Sequence, residues 1–343
     1  HKMRVLVVVC AAMMFMMLSV GAFQPTPDSS STGRRSSSLA RMSSLEYDQP
    51  VFRPPAEWRS LILQVTIGCS WNKCTFCEMY QTKNYRMKSL EDVETELQSI
   101  VASGQASFVK DIFLADGDAM TLPTKHLVLL LTLIKQYVPG VRRISSYCLP
   151  RNVRYKTVED LMELKDAGLS LVYVGCESGD DEVLEKVQKG ETYDTSLDAL
   201  TKLKDAGIKR SIMILLGLGG QALSEQHARS SAELCNAALP EYLSVLTTSF
   251  PRGMKRVEEG FGETGFEPLN ARESLRELEQ FLEAIDMPNW NRTIFRSDHA
   301  SNYLELKGRL GRERDRLLTE VRTVLEAPEE DDARNLRPEW ARG

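Results

Sequence analysis

Leu169-Ser170-Leu171-Val172-Tyr173-Val174-Gly175-Cys176-Glu177-Ser178-Gly179 reads as an apolar strand that runs into a loop of small and acidic residues. A strand this apolar over 169–174 is covered on both faces, as in a parallel sheet flanked by helices. The same scheme recurs on either side. Further strands are predicted over 61–66, 108–114, 143–148, 211–216 and 242–247. Amphipathic helices fall between them at 89–102, 124–137, 157–167, 181–187, 195–206 and 225–238, with Ser89 as an N-cap, Pro139-Gly140 as a stop and Gly168 as a C-terminal signal. Strand and helix alternating through six units predict an α/β fold, a partial (β/α)6 TIM-like barrel over 45–250. Residues 251–325 then form a small, mostly helical extension covering the barrel mouth, with an amphipathic helix over 273–285. The charged, proline-bearing tail 326–343 is expected to be disordered.

Composition narrows the function. The chain has 343 residues, 42% of them hydrophobic, enough for one large core, and its formal charge of −5 gives no sign of a basic nucleic-acid surface. Three of its seven cysteines cluster and the rest are scattered, which is no disulfide framework for a chain this long. A reducing compartment is expected. At the amino terminus, Lys2 and Arg4 precede an apolar run to Val20 with Gly21 and Ala22 behind it, a signal-peptide pattern too short for a stable membrane anchor. Residues 29–41 are rich in Ser and Arg, as in an organellar transit peptide. The junction at Phe23 is similar to the bipartite presequence of algae with complex plastids. Residues 1–44 are therefore expected to be a removable targeting segment directed to a plastid, with the secretory pathway or the mitochondrion as alternatives.

The first predicted strand feeds Gly68-Cys69-Ser70-Trp71-Asn72-Lys73-Cys74-Thr75-Phe76-Cys77. Structural zinc takes four protein ligands, and no fourth Cys or His lies nearby in sequence, so an open metal site is favoured. The loop, with an aromatic residue just before its last cysteine, resembles the cluster motif of the radical S-adenosylmethionine (SAM) enzymes. It carries four residues between the first two cysteines where three are usual, a spacing found in an uncharacterised branch of that superfamily. The resemblance implies that Cys69, Cys74 and Cys77 hold a [4Fe-4S] cluster whose open iron binds the amino and carboxylate groups of SAM. It also implies reductive SAM cleavage, hydrogen abstraction from an unknown substrate, and a low-potential electron donor such as ferredoxin or flavodoxin.

In barrels of this kind the site lies at the carboxyl ends of the strands. The resemblance places the cofactor contacts there: Phe76 in the cysteine loop; Asp116, Gly117 and Asp118 after strand two, toward the SAM ammonium; Glu177 and Ser178 after strand four, toward the ribose; Gly217 and Gly219 after strand five, toward adenine. Arg210 is a further candidate, for a carboxylate; a solvated surface cation is the other reading. Cys148 and His299 are candidate substrate-facing residues. Cys148 also reads as a small buried hydrophobe, and Arg296, His299 and Asn302 also read as a capped junction before a helix. His126 and His227 fall on helices, with no catalytic task assigned. Two alternatives stay open: a zinc-binding structural or interaction module using Cys148 or a histidine as fourth ligand, and a non-radical barrel protein with a structural cluster.

Overall fold

The apolar runs form strands where alternation with helices predicted them. The computed structural model describes residues 45–286, 290 and 292–338; the expected targeting segment lies outside them. After a short turn of helix at Pro55–Glu57 comes β1 (Leu61–Gln64), and then β2 (Thr66–Ile67) and β3 (Arg86–Met87), which pair with each other on either side of the cysteine loop. Next come β4 (Asp111–Ala115), β5 (Arg143–Cys148), β6 (Leu169–Glu177), β7 (Lys209–Leu216) and β8 (Tyr242–Thr247). The six strands β1, β4, β5, β6, β7 and β8 are parallel neighbours in chain order. Strand two starts at Asp111 instead of 108, where Phe108 is exposed.

The helices on the outer face are α1 (Leu90–Ala102), α2 (Thr124–Tyr137), α3 (Pro150–Val153), α4 (Val158–Ala167), α5 (Asp181–Lys186), α6 (Tyr193–Asp205) and α7 (Gly220–Ala238). Local chemistry sets their ends. Ser89 accepts from the Asp92 amide at 3.0 Å, Thr157 and Asp160 cap α4 reciprocally, and Gly168 ends α4 at φ +127°. Because Thr192 caps α6, that helix starts two residues before the predicted 195.

Successive strand residues face opposite ways. Leu63, Ile112, Leu114, Ile144, Val172, Val174, Ile212 and Val245 pack outward against helix residues such as Leu97, Leu131, Leu164 and Leu203. Each such side chain stabilises the fold by about 1.5–3 kcal/mol when fully buried. The inward set is Ile62, Phe113, Ala115, Leu171 and Tyr173, with Tyr147, Met213 and Tyr242 against it. At the amino end of the barrel, buried Glu57 accepts from Ser145 Oγ at 2.9 Å and Tyr173 Oη at 2.6 Å and pairs with Arg143 at 3.0 Å. That end is closed, leaving the carboxyl ends of the strands as the open face.

The extension departs from expectation. It contains α8 (Lys255–Phe261) and α9 (Ala271–Glu283), whose Leu275, Leu278, Phe281 and Leu282 are buried. The polar stretch read as a mouth-covering segment starts with a strand, β9 (Ile294–Arg296), parallel to β8 and anchored by fully buried Phe295; β10 (Lys307–Arg309) returns antiparallel. The sheet therefore has eight strands. Then α10 (Leu310–Glu326) and α11 (Asp332–Asn335) follow. The described part of the tail is held against the rest of the chain. Arg272 grips Asp332 with two bonds and the Leu325 and Ala327 carbonyls with two more, and Leu336 is buried. Among the described residues no helix is long and apolar enough to cross a membrane.

Candidate active site at the carboxyl ends of the strands

The cysteine loop is fixed from several directions. Gly68, at φ +76°, donates its amide to Asp116 Oδ2 at 3.0 Å, and Gly117 donates to the Gly68 carbonyl at 3.1 Å. Ser70 gives both its amide and its hydroxyl to Asp118. Trp71 donates from Nε1 to the Gln188 carbonyl at 2.8 Å, and the Arg151 guanidinium stacks 3.6 Å over its ring. The Thr75 amide donates to the Val187 carbonyl, and Arg256 from α8 binds the Cys74 and Cys77 carbonyls. Four separate segments thus hold one loop.

Cys74 is buried and Cys69 and Cys77 half-buried. Burial pushes the Cys74 thiol up to about 11, against the charge of Lys189, and also raises the other two. Each pair among the three is close enough for one thiolate to raise the other. Yet among the described residues no three His, Cys, Asp or Glu side chains converge on one ion. A cubane takes one thiolate on each of three irons, so three neighbouring thiols suit it. Bound metal also offsets the cost of ionising thiols in this setting.

Asp116 and Asp118 follow β4 and are both buried, which raises both carboxyls against the hydrogen bonds that lower them. Their tasks differ. Asp118 spends its oxygens on Ser70 and on Asn152 Nδ2 at 3.4 Å, so it holds the loop. Asp116 Oδ2 takes the Gly68 amide and Lys83 Nζ, the latter at 2.6 Å, while Oδ1 is buried with no hydrogen-bond partner. The Gln64 amide stands close enough to lower its pKa but makes its hydrogen bonds to Asp48. Gly117 is required by space, since a Cβ there would stand 2.8 Å from the Gly68 oxygen.

Glu177 ends β6 in a left-handed conformation, φ +66°, and its Oε1 pairs with Lys189 Nζ at 3.0 Å. Burial opposes the charge on Lys189, but Glu177 and Cys74 outweigh it and hold the ammonium above its usual value. Ser178 turns inward, accepting from the Asp180 amide and meeting His227 Nδ1 at 2.8 Å, so its hydroxyl is used within the protein. His227 Nε2 lies 3.0 Å from the Leu215 carbonyl. Gly217, at φ +79°, gives its amide to Glu277 Oε1 at 2.6 Å, which ties the turn after β7 to α9. Gly219 opens α7, and Phe76 packs against an apolar cluster containing Val187, Leu218 and Phe261.

Three candidates lie elsewhere. Arg210 is neither a cofactor ligand nor a surface cation: it is 1% exposed near the amino end of β7. Its donors are taken by Glu241 and by the Leu200, Ala238 and Leu239 carbonyls. Cys148 points outward into the helix-facing core and donates to the Leu149 carbonyl, so it offers no fourth ligand to the cysteine loop. His299 bonds Ser301 and has Asp298 and Arg337 as its charged neighbours; burial lowers its pKa. Asn302 caps the sheet, bonding the Thr247 amide and the Val245 carbonyl. Sequence reading missed Tyr80, Lys83, Arg151, His227 and Glu277 as site-supporting residues. Only Glu277 left a trace, as a carboxylate on the apolar stripe of α9.

Known proteins resemble this chain in sequence and fold. The radical SAM superfamily model matches residues 63–230. The heme chaperone HemW of Bacillus subtilis is 24% identical over 48% of this chain and 42% of its own. The threonylcarbamoyladenosine tRNA methylthiotransferase MtaB of the same organism is 24% identical over 52% of this chain and 40% of its own. The chain spans less than half the length of the curated relatives it matches. Among solved structures, the radical S-adenosylmethionine methyltransferase TsrM from Kitasatospora setae superposes with a TM-score of 0.51 at 17% identity, over 76% of this chain and 62% of that one. The likeness is one of fold.

Proposed function

Because the chain belongs to the radical SAM superfamily, we propose that it is an enzyme whose Cys69, Cys74 and Cys77 hold a [4Fe-4S] cluster with SAM docked on the iron that no thiolate covers. The observation that carries this reading is the gathering of the cysteine loop and the acidic turn, bonded to one another at the open end of the barrel around a buried carboxylate oxygen that lacks a partner. The donor set fits. Three neighbouring thiols suit a cube with one exposed corner, and an orphaned carboxylate oxygen suits an ammonium.

Bound there, the cluster and SAM supply one-electron cleavage of the sulfonium and hydrogen-atom abstraction from a substrate. The chain's own residues bind and orient. Asp116 Oδ1 accepts from the methionine ammonium, with Lys83 and Gly68 fixing its other oxygen. Glu177, steadied by Lys189, accepts from the ribose hydroxyls. The turn at Gly217, held by Glu277, brings main chain toward adenine. Phe113, Tyr147 and Tyr173 pack edge to face beneath, centroids 5.0–6.3 Å apart, and keep water from rising through the barrel. An external one-electron donor of the ferredoxin or flavodoxin class completes the system. The family model covers residues 63–230, most of the barrel, while the relatives are named for such different tasks as heme handling and tRNA methylthiolation, which supports SAM chemistry as the shared part.

The test is reductive SAM turnover by the full chain after anaerobic reconstitution. Dithionite-dependent formation of 5′-deoxyadenosine, lost in Cys74→Ala, is expected. SAM left intact by fully reconstituted, reduced protein would refute the proposal.

A further inference from the structure

Tyr80 follows the cysteine loop and is buried, its ring edge-on to Phe52 at a centroid distance of 5.5 Å. Its main-chain carbonyl is engaged, accepting from Asn72 Nδ2 and from the Lys83 amide, each at 3.0 Å. Its hydroxyl is not. Oη is buried with no hydrogen-bond partner, as is Asp116 Oδ1. The two groups lie within electrostatic reach of one another, and the phenol also senses Cys69, Cys77 and Tyr147. A buried donor and a buried acceptor are both left unpaired, which a fold tolerates only where something else completes them. The missing piece must offer a donor to the carboxylate and an acceptor to the phenol. An α-amino acid head carries both, on adjacent groups. Lys83 Nζ, 2.6 Å from Asp116 Oδ2 and 5.9 Å from the Tyr80 ring centroid, holds the carboxylate beside the phenol.

We propose that Tyr80 is a binding residue for the carboxylate of the SAM methionine moiety, donating its phenolic hydrogen while Asp116 Oδ1 accepts from the ammonium. The inference rests on the function proposed above and adds to it a source of specificity for the free amino-acid form of the cofactor.

Tyr80→Phe removes the hydroxyl and keeps the ring on Phe52. Equilibrium affinities of the reconstituted full chain are measured for SAM and for decarboxylated SAM, which lacks the acceptor, alongside melting temperature. The variant is expected to lose about tenfold or more in SAM affinity, as a hydrogen bond to a charged group implies, and to stay within about twofold of wild type for decarboxylated SAM. An equal loss for both ligands, or no loss for SAM, overturns the assignment. Failure of the wild-type protein to bind SAM at all would instead sink the proposed function.

Discussion

Gly117→Ala tests how closely the acidic turn and the cysteine loop depend on each other. A Cβ at 117 would stand 2.8 Å from the Gly68 oxygen, 2.9 Å from Cys69 Cβ and 3.0 Å from Cys69 Cα. Relaxed contacts of carbon lie at about 3.5–4.0 Å, so the overlap is roughly half an ångström. No side chain can swing clear, because two of these atoms are main chain and the third is fixed by it. The loop must retreat, stretching the Gly117–Gly68 bond and carrying Cys69 with it. Overpacking of this kind costs about 1–3 kcal/mol, or roughly 2–8 °C in Tm for a domain of this size. Metal ligands tolerate about 0.2 Å, so the consequence for cluster loading exceeds that for folding. Iron and sulfide per chain after anaerobic reconstitution and desalting should fall well below wild type. Gly207→Ala is the control: it has nothing within 4 Å but sits at φ +72°, so strain of about 1 kcal/mol should lower Tm and leave iron unchanged. Full iron in Gly117→Ala, or equal iron loss in both variants, would refute the reasoning.

Arg210→Met should leave SAM affinity unchanged while lowering stability by about 1–3 kcal/mol, the cost of unpaired buried carbonyls, since Glu241 is partly exposed and its ion pair adds little. A fall in SAM affinity at unchanged Tm would contradict the structural role. His299 has a folded-state pKa lowered from 6.5 by burial, so the unfolded chain takes up its proton first as pH falls. Stability is unaffected by this group above pH 6.5 and is lost below it; His299→Gln should flatten that decline, as thermal melts between pH 7.5 and 5 would register. An unchanged acid limb would show that the imidazole titrates normally.

What could be read in advance follows from where the information lies along the chain. The barrel strands were legible because residues such as Leu171 and Val172, or Phe113 and Leu114, are apolar in direct succession, which only a two-sided burial accounts for. The order of the loops followed from the order of the strands. Alternation could also have placed Cys148 outward, one residue from inward Tyr147. Arg210 could not be resolved this way, since its fate depends on Glu241, 31 residues away, and on carbonyls 10 to 29 residues away. The tail misled for the same reason: its anchor, Arg272, lies 60 residues from Asp332. β9 was missed because three residues carry too little pattern, and its pairing with β8 is nonlocal. Within the site, sequence supplied the thiols, Asp116 and Glu177, but not the division of labour between Asp116 and Asp118. That division depends on Ser70 and Lys83 reaching across from the neighbouring loop.

The central claim is that this loop carries an iron–sulfur cube with one corner free. Iron and acid-labile sulfide counted on anaerobically reconstituted full chain, with electron paramagnetic resonance of the reduced protein before and after SAM, test it most directly. About four irons and four sulfides per chain, with a signal that shifts when SAM is added, are predicted. Zinc without sulfide, or a cluster that persists when Cys69, Cys74 and Cys77 are all replaced by alanine, would contradict it.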